Sequence, residues 1–88
     1  MEAKRVLLLA DLSPGCSGRV VRIDGGRGIQ QRLEAMGVYP GVQIRKKSAL
    51  FGYGPSIVAV AGSELAIGYG KARRIWVEVE EVEDPSGR

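Results

Sequence analysis

Thirteen glycines and four prolines are spread along 88 residues, which confines the chain to short elements joined by turns. Strand signals fall at residues 6–9, 19–23, 42–50, 57–61, 64–67 and 75–82. In the last of these, Ile75, Val77 and Val79 alternate with Trp76, Glu78 and Glu80, the period of a half-buried strand. Gly62-Ser63 predicts the hairpin turn that joins the fourth strand to the fifth. Residues 69–74 read as a loop or a single helical turn. One amphipathic helix stands out over 27–36, opening at Arg27 and ending at Met36, with Ile29, Leu33 and Met36 at i, i+4 and i+7.

The passage from Arg32 to Gly41 shows how these elements are joined. Gly37 follows the last apolar helical residue, where a left-handed C′ conformation is cheapest for glycine. Pro40 and Gly41 suit the two central positions of a type II turn. Val42-Gln43-Ile44-Arg45 then alternates as a strand. Together the elements predict a mainly β chain: a small, strongly bent antiparallel barrel of five or six strands, SH3-like, with one α-helix inserted after the second strand. Barrel closure would remove the exposed edges of so small a sheet. Residues 1–83 are expected to form this single barrel and 84–88 a frayed C-terminal tail.

A 9.4 kDa chain buries little more than about 60% of its unfolded surface, so the core is thin and leaves little room for an enclosed substrate cavity. Cys16 is the single cysteine and has no internal disulfide partner, which fits a reducing compartment. No apolar run approaches the roughly 20 residues of a membrane span, so a cytoplasmic location without direct membrane insertion is expected. The net charge of +3 is unevenly placed: before residue 78 there are 12 basic and 5 acidic residues, whereas five acids crowd positions 78–84. A basic body favours nucleic acid, anionic lipid or acidic protein surfaces.

With the elements placed, the chain resembles the FeoA family of small cytoplasmic proteins associated with ferrous iron uptake. The residues that carry the resemblance are Leu9, Leu12, Gly15, Gly18 and Val20; then Arg32, Leu33, Met36, Gly37, Pro40 and Gly41; then Gly54 and Pro55; and finally Leu65, Ile67, Ala72, Ile75 and Val77. In order and spacing they cover most of the chain, from about Leu9 to Val79. Ser56 stands where the family commonly has a large aliphatic residue. Gly68, Tyr69, Gly70 and Lys71 stand where it has an arginine followed by acids. The resemblance implies a non-enzymatic accessory acting on the cytoplasmic domain of a FeoB-type membrane transporter. It also carries an association with transition metal ions.

The residues themselves supply no metal site, because histidine is absent and cysteine is single, and no cofactor is expected. Cys16 reads as a packing residue or an incidental thiol. Asp24-Gly25-Gly26-Arg27-Gly28 opens the helix but lacks the ending of a P-loop, and Asp24 reads as a possible N-cap. No nucleophile–base pair or paired carboxylate suggests an enzyme.

Partner-binding candidates are Arg32 and Tyr39 near the corner, Arg45 and Lys47 on a strand, Phe51 and Tyr53 in the aromatic loop, and Arg73. Arg45-Lys46-Lys47 is read as breaking strand alternation and guarding an edge. Trp76 either covers the barrel's end or meets another protein. Exposed edges allow a homo-oligomer. The alternative function is a small basic, KOW-like nucleic-acid binder, with Arg19, Arg22, Arg45, Lys46, Lys47, Arg73 and Arg74 toward phosphates; the acidic tail counts against it.

Overall fold

The computed structural model describes residues 2–49 and 53–82, with side chains over 4–49 and 53–79. Leu50, Phe51 and the segment 84–88 lie outside the described residues. The strands are β1 (Glu2–Leu8), β2 (Ser17–Ile23), β3 (Gln43–Ala49), β4 (Ser56–Val60), β5 (Ser63–Ile67) and β6 (Ile75–Val82). Helix α1 (Arg27–Ala35) follows β2, and the short α2 (Tyr69–Ala72) follows β5. All strand pairs are antiparallel, in the order β1-β6-β2-β3-β4-β5.

Strand alternation builds the core. Val20, Ile23, Ile44, Val58, Val60, Ile67, Ile75, Val77 and Val79 point inward, and Leu33 of α1 joins them. Register shifts between Val20 and Arg22, and between Lys46 and Ser48, bend the sheet, as bulges do. Among the described residues β5 does not pair with β1, so the hydrogen-bonded ladder does not close. Instead the 3-10 turn after β1 (Leu9–Asp11) packs against α2, which follows β5, and the two chain segments meet across the opening.

The joint after α1 follows its sequence. Val38 N–H donates to the Leu33 carbonyl at 2.8 Å and Gly37 N–H to that of Glu34 at 2.9 Å, the two bonds of a Schellman cap. Leu33 and Val38 are both fully buried, supplying the apolar contact that accompanies this cap. Gly37 has φ +93° and Gly41 φ +101°, and Val42 N–H closes the second turn on the Tyr39 carbonyl at 3.1 Å. Gly41 N–H then donates to the Val20 carbonyl at 2.7 Å, tying the corner to β2.

Three expectations are corrected. The β4–β5 turn is Ala61-Gly62, not Gly62-Ser63: both have positive φ, 51° and 82°, as a type I′ turn requires, and Ser63 already pairs with Val60. Asp24 does not cap α1; Gly26 holds that position without a side-chain bond, and Asp24 is drawn to donors from β2 and β6.

The third correction concerns Arg45-Lys46-Lys47. β3 lies between β2 and β4, so the run guards no edge, and it does not break alternation. Lys46 occupies an inward position at 2% exposure, and its ammonium donates to the carbonyls of Leu9 at 3.0 Å and Ala10 at 3.1 Å. Burial lowers its pKa from 10.5, and the nearby Asp11 opposes that shift. Its aliphatic stem fills the core while its charge fastens the 3-10 turn to the sheet.

Candidate partner-binding surface

Two clusters on the surface combine an arginine with an aromatic ring. In the first, Arg22 and Trp76 are cross-strand partners on β2 and β6. The Arg22 guanidinium lies 5.2 Å from the Trp76 ring centroid. Asp24 completes this corner: one carboxylate oxygen accepts from Arg22 Nε at 2.9 Å, the other from Trp76 Nε1 at 2.8 Å. The indole hydrogen bond is the largest influence on the Asp24 pKa; desolvation, the next, opposes it, and Arg22 and then Arg74 help to hold the value below 3.8. Trp76 is thus half-buried and internally bonded.

The second cluster joins segments far apart in sequence. Tyr53, from the loop before β4, stands edge-on to Tyr69 of α2, with centroids 4.9 Å apart and planes at 87°. Arg73 follows Tyr69 by four residues, on the same helical face, and its guanidinium lies 5.7 Å from the Tyr69 ring. Tyr53 is 81% exposed. No carboxylate among the described residues pairs with Arg73.

The structure therefore brings Tyr53 and Arg73 together and adds Tyr69, which the sequence analysis did not select. The signal was available in the i, i+4 spacing of Tyr69 and Arg73. The other candidates lie apart. Arg32 is exposed on the last turn of α1. Tyr39, 44% exposed, borders an open groove of about 340 Å³ with Pro40, Arg27, Gln31 and Glu34. Arg45 faces outward on β3, between Ser17 and Ala59. Lys47 is held by Glu64 across the sheet at 2.8 Å. Phe51 lies outside the described residues.

For a metal ion the donor set is poor. Among the described residues no three His, Cys, Asp or Glu side chains gather closely enough to hold one, and the exposed Cys16 stands alone. The described residues therefore do not fit a resident transition metal. Among the described residues no helix is long and apolar enough to cross a membrane.

Comparison with known proteins agrees with this architecture. The FeoA domain family matches residues 7–79. A protein of Methanocaldococcus jannaschii, provisionally named Fe(2+) transport protein A, is 42% identical over 62 residues, covering 67% of this chain and 70% of its own. The crystal structure of an iron uptake regulatory protein, FeoA, superposes with a TM-score of 0.76 at 40% identity, covering 83% of this chain and 95% of that one. FeoA of Stenotrophomonas maltophilia, a prokaryotic SH3 domain protein solved with zinc, superposes at 0.71 with 23% identity, over 89% and 99% of the two chains, and supports the fold. The expected SH3-like barrel with an inserted helix is therefore the architecture of known FeoA structures, and this chain belongs to the FeoA family.

Proposed function

We propose that this chain is a non-enzymatic accessory of ferrous iron uptake that docks, in the cytoplasm, on the cytoplasmic domain of a FeoB-type transporter and adjusts its activity. The observation that carries this reading is the FeoA-domain match over residues 7–79, which spans most of the barrel. The names of its relatives, in Fe(2+) transport and iron uptake regulation, support the same process. A protein contact is the mode that suits the molecule. Two grooves among its described residues open to the surface, and its charge is concentrated in a basic body that favours acidic surfaces.

Arg32, Tyr39, Arg45, Lys47, Tyr53 and Arg73 are the exposed side chains from which such a contact would be drawn. Iron is here the transporter's cargo. Deleting the gene should impair ferrous iron uptake, and the purified protein should bind the transporter's cytoplasmic domain at micromolar concentration. Unchanged uptake together with no binding would remove the proposal. The nucleic-acid alternative loses support, because Lys46 is buried and Lys47 is taken by Glu64.

A further inference from the structure

We infer that Tyr53, Tyr69 and Arg73 form the docking surface for a carboxylate-bearing segment of a protein partner. Arg73 takes the carboxylate, and the two tyrosines cover apolar atoms beside it. The assignment of the partner to iron uptake rests on the function proposed above; the chemistry of the surface does not.

The molecule's own corner at Asp24 shows the completed form of such a cluster. There an arginine over an aromatic ring is completed by a carboxylate that accepts from both. At Tyr69 the same pair lacks that third member. From Tyr53 to Val77 the chain carries Lys71, Arg73 and Arg74 but only one acid, Glu64, which is already bonded to Lys47. Arg74 also acts on Asp24, and Asp11 lies in the 3-10 turn packed against α2, but no carboxylate among the described residues pairs with Arg73, so its charge is unmatched. A planar guanidinium accommodates a carboxylate through two parallel N–H bonds. Tyr53, 81% exposed, offers ring surface of the kind that anchors protein interfaces.

Single-stranded nucleic acid fits less well. It needs successive open ring faces and a track of cations along the backbone. Here the two rings are perpendicular, and one face of Tyr69 is already covered by Arg73.

Two measurements test the surface. In the first, the full-length protein is titrated with the isolated cytoplasmic domain of the FeoB-type transporter. Tyr53→Ser and Arg73→Glu should each weaken binding about tenfold, whereas Arg22→Ala should leave it within about twofold. If the parent binds and Arg73→Glu binds equally well, the surface is wrong and the accessory function stands.

In the second, the isotope-labelled protein meets a peptide of alternating glutamate and leucine, its lysine–leucine counterpart, and oligouridylate. Shift changes at Tyr53, Tyr69 and Arg73 with the acidic peptide alone support the surface even when the transporter domain fails to bind. Changes elsewhere, changes with the basic peptide, a response only to oligouridylate, or no response at all overturn it.

Discussion

The Asp24 corner and the Tyr53 patch contain the same parts in different states of completion. Each sets a guanidinium over an aromatic ring at the surface of the barrel, at 5.2 Å in one case and 5.7 Å in the other. The corner adds an internal carboxylate, so the donors of Arg22 and Trp76 that face it find acceptors without leaving the chain. The patch adds a second ring, so its exposed area grows while its charge stays unmatched. A cation over an aromatic ring is therefore not a functional signature by itself. Whether the chain supplies its own anion separates a structural fastening from a surface that gains by meeting another molecule.

That distinction predicts opposite sensitivities. Trp76→Ala removes a half-buried ring from β6 together with its bond to Asp24. It should cost about 2 kcal/mol in urea unfolding, roughly half the value for a fully buried aromatic. Tyr53→Ala removes a ring that is mostly in water and should change stability by no more than about 0.5 kcal/mol. The same Tyr53→Ala variant should weaken the transporter domain's binding about tenfold. A large stability loss at Tyr53, or a binding loss caused by Arg22→Ala without unfolding, would break the comparison.

A finer test converts the patch toward the corner. Gly70 lies on α2 three residues before Arg73, and a side chain there meets open space. Gly70→Asp would place a carboxylate at i, i+3 from the guanidinium, a spacing that lets the two interact. Binding should weaken by about twofold as the new acid competes for Arg73, with stability held or slightly raised. Titration calorimetry beside thermal unfolding separates these effects. Unchanged binding would mean that Arg73 does not need an external anion.

The sequence made the backbone more legible than these side-chain states. The Schellman cap at Gly37 and the turn at Gly41 depend on residues adjacent in the chain, and both appear where their residue types require. α1 departs from expectation only by ending at Ala35, with Met36 as its cap. Lys46 escapes a local reading for a non-local reason: its inward position follows β3 alternation, but its carbonyl partners lie 37 and 36 residues earlier. Asp24 suits a local cap in the sequence, but its strongest attraction, the indole of Trp76, comes from 52 residues away. Tyr53 and Arg73 were individually recognisable. Their meeting through Tyr69 depended on how β4 and β5 return the chain to the same place.

The smallest expected effect is also the one specific to the completed corner. Asp24 has its pKa lowered below 3.8 first by the Trp76 hydrogen bond, then by the charges of Arg22 and Arg74. In the unfolded chain these partners are lost, and the carboxyl returns to about 3.9. Because the folded value is the lower one, the ionised corner contributes its full stabilisation above about pH 4. That contribution fades as pH falls through the folded value, where Asp24 takes up a proton. The half-exposed site is screened by water, so the effect is modest. Urea midpoints followed by the fluorescence of Trp76, the only tryptophan, should therefore fall more steeply below pH 4 in the parent than in Asp24→Asn. Arg73→Gln, at the patch with no carboxylate of its own, should parallel the parent throughout. Parallel curves for the parent and Asp24→Asn would mean that the corner is not held by its charge, and the physical contrast between the two clusters would lose its basis.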